Sequence, residues 1–194
     1  MPAPVSSTFH ERLQALNALR EAGFQEWLFD PTMLYGASAK WWGDGGERGS
    51  PHEGIDFRCY RTVQGTTRYL DQTTLVPPIL PGNIVRIIDD FLGKSIFIRH
   101  SYRNPSGRTL YTVYGHGVPS AGTAAGADID AEAIIGTIAP GGSVPSHLHV
   151  SVAWVSDAVH PQDLDWRTML DSSKVALINP LTVIQCPYQI IRTA

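Results

Sequence analysis

An alternation of apolar and polar residues at 147–152, His-Leu-His-Val-Ser-Val, limits how this chain can fold more than any other feature. Leu148 and Val150 recur with the period of two that is typical of a half-buried β-strand. His147 and His149 then project from the opposite face, with Cα atoms about 6.6 Å apart. At that separation both imidazoles can reach one metal ion, or one can bind the metal while the other contacts its water.

Glycine and proline punctuate the rest of the chain. The 194 residues include 18 glycines and 14 prolines, which separate short runs rich in valine, isoleucine and threonine. This pattern predicts many short strands joined by turns, and from about residue 50 to 155 it predicts strand and turn only. The length fits one domain with an appendage. We therefore expect a mainly β fold.

Two further clusters carry histidine or aspartate. His52 and Asp56 lie in Pro-His-Glu-Gly-Ile-Asp-Phe, and His116 lies in Tyr-Gly-His-Gly. On a straight strand His52 and Asp56 would be about 13 Å apart, too far for one coordination sphere. We therefore expect the chain to bend between them, with His52 in a loop and Asp56 in a strand. Gly54 suits such a bend because it leaves room between the two ligands and tolerates unusual backbone angles.

The residue types in these clusters are zinc ligands. Imidazole nitrogens and a carboxylate oxygen bind Zn²⁺, and a catalytic zinc keeps about three protein ligands and an open position for water. Five candidate groups for three positions leave two histidines free to act on the reaction. Any one cluster alone is equally compatible with histidines that serve only the fold, whereas the three together favour a catalytic centre.

The three clusters resemble the motifs of a known enzyme family. His52-Glu-Gly-Ile-Asp56, Tyr114-Gly-His116 and His147-Leu-His149 are similar, in order and interval, to the H-x-x-x-D, Y-x-H and H-x-H motifs of the lysostaphin/LytM-type zinc metallopeptidases. The resemblance covers roughly residues 51–181. It implies an antiparallel β-sheet groove, the LytM-like architecture with a duplicated hybrid motif, and peripheral helices. The chain departs from the family at Gly117, often leucine there, and at residues 140–146, which line the substrate groove in the family.

The resemblance also implies roles for the five residues. His52, Asp56 and His149 would bind one Zn²⁺ ion, while His116 and His147 would be the catalytic histidines beside the zinc-bound water. Which of these two is the general base stays open. The implied activity is hydrolysis of peptide bonds in bacterial peptidoglycan, in stem peptides or cross-bridges, so that the partner is a peptidoglycan or peptide substrate.

The N-terminus differs in character from the rest. Apolar residues at helical spacing predict an amphipathic helix over residues 8–22, begun by a capping box at Thr8. We therefore divide the chain into an N-terminal helical segment, 1–35, and a LytM-like metallopeptidase domain, 36–194. A second short helix is expected over Pro161–Leu170.

Several other side chains have plainer interpretations. His100, at the family's usual I-x-H position, is expected to pack near the site or to orient a ligand. Asp89 and Asp90 are expected to form a turn between strands. Trp41 and Trp42 favour packing over substrate recognition, although they lie near the expected groove wall.

Charge and composition exclude some classes of function. The formal net charge is −3, and lysine and arginine form no basic patch, so a nucleic-acid partner is not expected. No apolar run approaches the ~20 residues that a membrane span needs. Cys59 and Cys186 are too few for a disulfide framework, although one bridge is possible. The sequence does not predict the oligomeric state.

Two alternative functions follow from the same residues. A non-catalytic wall-binding or regulatory LytM-like module is expected to have lost at least one ligand, and none is missing here. A zinc peptidase acting on an intracellular protein or peptide is the other, because the first 24 residues have neither the basic nor the apolar region of a signal peptide. The family implies the cell envelope or secretion, so the location stays open.

Overall fold

The computed structural model describes residues 7–191. The helices are α1 (Phe9–Leu16), α2 (Trp166–Met169) and α3 (Leu181–Ile184), and two 3₁₀ turns lie at Pro31–Met33 and Pro161–Asp163. The strands are β1 (Phe24–Phe29), β2 (Ile55–Phe57), β3 (Cys59–Thr62), β4 (Thr67–Tyr69), β5 (Leu75–Val76), β6 (Gly82–Asp89), β7 (Lys94–Arg103), β8 (Thr109–Pro119), β9 (Asp128–Ile129), β10 (Gly136–Ile138), β11 (Leu148–Val155), β12 (Val175–Ile178) and β13 (Tyr188–Ile190).

The strands form two sheets. The larger sheet has the order β12-β11-β8-β7-β6-β9, every neighbouring pair in it is antiparallel, and β2 pairs with the end of β11. The smaller sheet has the order β13-β1-β3-β4, in which β1 and β13 run parallel. From residue 55 to 155 the elements are strands β2 to β11. The expectation of a mainly β fold with antiparallel sheets and peripheral helices is confirmed.

The core lies on both faces of the larger sheet. Strand β11 alternates between them: Val150 and Val152 belong to the main hydrophobic cluster, whereas Ala153 and Val155 belong to a second cluster covered by α2 and β12. Leu148 is buried in the main cluster, as the alternation predicted. This packing fixes which face of β11 carries His149.

The N-terminal helix is shorter than expected. It ends at Leu16, and the capping box is absent because the Thr8 side chain makes no cap; Ser7 Oγ accepts the Phe9 N–H instead. The Asn17 side chain bonds Leu75 on β5, which fixes the chain in turns after the helix. Phe9 is fully buried in the main cluster. The division of the chain at residue 35 stays a prediction.

The second expected helix is interrupted. The chain makes a 3₁₀ turn at Pro161–Asp163 and then α2, rather than one helix over Pro161–Leu170. The break lies at Asp165, whose backbone is extended. Its side chain caps α2 by accepting the Thr168 N–H. The segment lies where the sequence predicted it, but it is not continuous.

Cys59 and Cys186 are both buried free thiols, so the bridge that the sequence left possible is not formed. Within residues 7–191, none of the helices combines the length and the apolar character that crossing a bilayer demands.

Candidate metal centre

Three buried side chains bring one ligand atom each to a common point. Nε2 of His52 lies 3.1 Å from Oδ1 of Asp56 and 3.1 Å from Nδ1 of His149. Nδ1 of His149 lies 2.9 Å from the same carboxylate oxygen. The structure therefore brings together the three residues that the sequence assigned to the metal.

The strand register produces this meeting. β2 pairs with β11 so that Asp56 stands directly opposite His149, and His52 lies in the loop that bends into β2. The bend is where it was expected, but Gly54 serves it differently. A Cβ at Gly54 would lie 2.1 Å from the carbonyl oxygen of Val150. The glycine is thus needed for the close approach of this loop to β11, not for room between two ligands.

Each of the two imidazoles has a hydrogen-bond partner at the nitrogen that points away from the common point. Nδ1 of His52 lies 3.1 Å from the carbonyl oxygen of Leu34. Because a carbonyl can only accept, Nδ1 carries the proton of the neutral ring and Nε2 presents a lone pair. Nε2 of His149 has Ser151 Oγ as a partner at 2.8 Å, and because a hydroxyl can donate or accept, this contact allows either tautomer of the ring. These are the contacts that orient ligand histidines in metal sites.

The Asp56 carboxylate is held through its other oxygen. Oδ2 accepts the indole N–H of Trp41 at 2.7 Å and lies 3.7 Å from the Arg48 guanidinium. Burial alone would raise the pKa of Asp56, but the neighbouring His52 and His147 rings hold it well below its ordinary value. The residue is therefore an anion whose Oδ1 faces the rings of His52 and His149.

This donor set fits zinc. Three buried side chains turn one potential ligand atom each toward the same point, so a cation placed there could contact all three. Tetrahedral zinc with bonds of about 2.0–2.2 Å requires ligand atoms roughly 3.3 Å apart. The observed separations of 2.9–3.1 Å need only a small adjustment to reach that spacing.

The two remaining histidines lie beside this triad. The rings of His116 and His147 have centroids 4.7 Å apart, and the ring of His116 lies 5.8 Å from that of His149. Nδ1 of His147 lies 2.8 Å from the carbonyl of Pro145, which can only accept, so this nitrogen carries the proton. Burial lowers the pKa of His147, which keeps its ring neutral near pH 7.

All five residues line a cavity of about 350 Å³. Its walls include the aromatic side chains of Trp42, Phe91 and Trp166 and the cations of Lys40 and Arg48. Open space beside a triad and two further histidines is what a hydrolytic site requires, because substrate and water must both reach the centre.

Both tryptophans lie closer to the centre than the sequence suggested. Trp42 stacks on His147 with an interplanar angle of 25°, and the Trp41 ring lies 4.9 Å from the same imidazole. Sequence reasoning favoured packing, whereas in the structure Trp42 lies in the cavity wall and Trp41 is hydrogen-bonded to Asp56. The signal in the sequence was a pair of tryptophans shortly before His52 and Asp56, because an indole N–H can donate to a carboxylate.

Of the two interpretations that the sequence left open for His100, the structure fits packing. Its nitrogens contact the Pro81 carbonyl and Thr112 Oγ1, at 2.8 and 2.9 Å, and neither contact involves a ligand of the triad. Burial lowers the pKa of His100 to about 4. The residue is therefore a neutral packing histidine of the sheet and does not orient a ligand.

Asp90 makes a contact with His116 that sequence reasoning missed. Asp90 begins the turn between β6 and β7, as expected, whereas Asp89 is the last residue of β6 and pairs with Lys94. The carboxylate of Asp90, however, contacts both the backbone and the ring of His116. A sequence prediction that β7 pairs with β8 at the Y-x-H motif would also have predicted that the turn before β7 lies close to His116.

Comparison with known proteins gives structural similarity at low identity. No family model and no curated protein sequence matches the chain. The structure is similar to CbpA from L. salivarius REN, with 16% identity, a TM-score of 0.49, and coverage of 81% of this chain and 86% of that one. It is similar to the catalytic domain of the prophage-encoded M23 protein EnpA from Enterococcus faecalis, with 19% identity, a TM-score of 0.39, and coverage of 69% and 92%.

A third similar structure is the catalytic domain of the antimicrobial peptidase lysostaphin from Staphylococcus simulans. The identity is 20%, the TM-score is 0.40, and the match covers 68% of this chain and 84% of that one. Because these identities and TM-scores are low, the function of the chain has to be inferred from the residues of its own site. In its motifs the chain resembles the lysostaphin/LytM-type peptidases, and structures of that type are among those to which it is similar.

Proposed function

We propose that this protein is a zinc-dependent metalloendopeptidase that hydrolyses peptide bonds in bacterial peptidoglycan, in stem peptides or cross-bridges. The metal would be held by His52, Asp56 and His149, and His116 and His147 would be the catalytic histidines. The peptide-hydrolysing chemistry is argued from the side chains of the site. The cell-wall substrate follows from the motif resemblance.

One observation carries the proposal: three potential ligand atoms from His52, Asp56 and His149 meet within 3.1 Å of one another at the side of an open cavity. A structural zinc site is closed by four protein ligands, whereas a catalytic site keeps a position for water. Here three ligands face a cavity, and the two other histidines line the same cavity.

The side chains of the site divide the chemistry among them. When bound, zinc supplies a Lewis acid that lowers the pKa of its water to about 7. One of His116 and His147 would take the proton of that water and deliver it to the leaving amine. The other, once its Nε2 is protonated, would donate a hydrogen bond to the oxyanion that develops on the scissile carbonyl. Trp41 and the carbonyl of Leu34 keep Asp56 and His52 oriented throughout.

The cavity wall supports a peptide substrate. Trp42 and Phe91 offer apolar surface on which an extended chain can lie. Lys40, Arg48 and Glu53 place charges of both signs on the same wall. Such a wall can accommodate the charged and apolar groups of a peptide.

The test is mass spectrometry of peptidoglycan fragments after incubation with zinc-loaded protein. Three variants accompany the wild type: His149→Ala, which removes a ligand; His116→Ala, which leaves the triad intact; and His160→Ala, a matched control at an exposed histidine. We expect new peptide termini with the wild type and His160→Ala. We expect no bound zinc in His149→Ala, and zinc without appreciable turnover in His116→Ala.

The outcomes separate the alternatives. Full activity of His149→Ala or His116→Ala would contradict the assigned roles. If zinc is bound but several wall types stay uncut, a library of unrelated peptides distinguishes a peptidase of other substrates from a non-catalytic module. Cleavage in that library would replace the substrate, and its absence would overturn the enzymatic proposal.

A further inference from the structure

His116 is held in an unusual backbone conformation. Its φ is +61°, in the left-handed region that residues other than glycine seldom adopt. The register of β8 against β7 shifts at this point: Lys94 pairs with Gly117 and Ile96 with Tyr114, so β8 carries one extra residue. Such a β-bulge turns a side chain out of the regular alternation of its strand. The bulge is what brings His116 to the cavity.

Asp90 secures this bulge from the neighbouring turn. Its Oδ2 accepts the backbone N–H of His116 at 3.0 Å, and its Oδ1 lies 3.2 Å from Nδ1 of the same residue. The carboxylate thus binds the backbone and the ring of one histidine at once. The contact spans 26 residues of sequence, so it depends on the pairing of β6, β7 and β8.

The other contacts of Asp90 make it an acceptor only. Oδ1 accepts the backbone N–H groups of Leu92 and Gly93, and Oδ2 accepts the hydroxyl of Ser95 at 2.7 Å. That hydroxyl is itself an acceptor for the indole N–H of Trp166, so its proton is available for Asp90. Burial opposes ionisation, yet the hydrogen bonds from His116 and Ser95 lower the pKa of Asp90 below its ordinary value.

We propose that Asp90 is a positioning residue of the active site, which fixes the ring of His116 with its proton on Nδ1 and the lone pair of Nε2 toward the cavity. The inference rests on the proposed function for the use that the lone pair serves. The orientation follows from the contacts alone. All other partners of the Asp90 carboxylate donate hydrogen bonds to it, so it is an ionised acceptor, and the ring nitrogen that faces it must carry the proton.

The alternative is that Asp90 serves only the turn. Aspartate side chains commonly accept backbone N–H groups two residues on, as Asp90 does with Leu92. The two roles make different demands on the side chain. A serine has an oxygen for the turn but is too short to reach the His116 ring, whereas an asparagine supplies an acceptor to both.

The experiment compares Asp90→Ser and Asp90→Asn with Asp89→Ser, a matched control at the adjacent aspartate, whose side chain is 86% exposed and paired with Lys94. The bound zinc is measured in each variant, and kcat and KM are determined on a peptide substrate that contains the bond identified by mass spectrometry. The ¹⁵N chemical shifts of the His116 ring are also recorded. The shifts are recorded in metal-free and zinc-loaded protein, and a His116→Gln sample assigns them.

We expect the wild-type ring to be protonated on Nδ1 when neutral, with or without metal. In Asp90→Ser the preference should be lost and kcat should fall on the order of 10²-fold, the cost of a catalytic group displaced by about 1 Å. Zinc content and KM should change little. Asp90→Asn should retain the tautomer and more of the turnover than Asp90→Ser, and Asp89→Ser should match the wild type.

A wild-type ring protonated on Nε2 would overturn the inference, and so would equal kcat in Asp90→Ser and Asp89→Ser. The ring tautomer decides the matter even if no substrate is cut, so failure of the proposed function is distinguishable from failure of this inference. Should Asp90→Ser not fold, the wild-type shifts and the Asp90→Asn variant still decide it.

Discussion

Trp41 donates its indole N–H to Oδ2 of Asp56 at 2.7 Å, which leaves the other carboxylate oxygen directed at His52 and His149. The bond joins a loop residue to a residue of β2 fifteen positions away. A carboxylate held in this way offers one oxygen in one direction, which is the condition for a monodentate metal ligand.

Replacing this indole should weaken metal binding without removing a ligand. In Trp41→Phe the aromatic ring remains but the N–H is lost, and loss of a partner that orients a ligand typically costs 10- to 100-fold in affinity. We expect the zinc Kd to rise about tenfold. Trp42→Phe is the matched control, because Trp42 lies in the cavity wall. Competition with a chromophoric chelator measures both, and an unchanged Kd in Trp41→Phe would show that the N–H does not orient Asp56.

Gly54 should tolerate no side chain. A Cβ there would lie 2.1 Å from the Val150 carbonyl oxygen and 2.8 Å from Ser151 Oγ, so the loop must move away from β11. Overpacking of this kind costs about 3 kcal/mol, and it also displaces Asp56 from His149. We expect Gly54→Ala to lose that much unfolding free energy in urea and to bind zinc more weakly. Gly49→Ala, where no atom lies within 4 Å of the new methyl group, should be neutral. Equal stability of the two variants would contradict the assignment.

The sequence predicted the features that depend on local period. The alternation around Leu148 and Val150 fixed the face of β11, and the reach between His52 and Asp56 required a bend that the structure contains. Both are properties of a few consecutive residues. The roles of the five site residues came from the motif resemblance and stay a proposal.

What the sequence missed depends on distant pairing. Asp90 reaches His116 through the register of three strands, and the partner of His52 is the backbone carbonyl of Leu34, which no side-chain pattern reveals. Helix α1 ends early because Asn17 bonds Leu75, 58 residues away. For His100 the sequence left packing and ligand orientation both open, because the choice depends on its bond to Thr112 of the neighbouring strand.

The buried His100 should make the metal-free protein less stable in acid. Burial lowers its pKa to about 4 from the ordinary 6.5, so between these values the unfolded state binds the proton and the folded state does not. The contribution of His100 to stability is therefore complete above about pH 6.5 and is lost as the pH falls through 4, a change of about 3 kcal/mol. Urea unfolding of wild type and His100→Gln across this range measures the effect. The variant should have the shallower pH dependence, while exposed His160→Gln should keep that of the wild type. Identical slopes in wild type and His100→Gln would refute the assignment to His100.

Zinc itself should stabilise the fold through the triad. His52, Asp56 and His149 form a group that could hold a metal ion, and a ligand that binds only the folded state adds about 2.7 kcal/mol at 100 times its Kd. For a chain of this length that corresponds to a rise in Tm of about 5 to 10 °C. Calorimetry with added zinc, and again after a chelator, should show the rise and its reversal. His149→Ala should not respond, whereas His116→Gln, which retains the triad, should respond as the wild type does. A response that survives in His149→Ala would place the metal elsewhere, because that ring supplies one of the three atoms that face the common point.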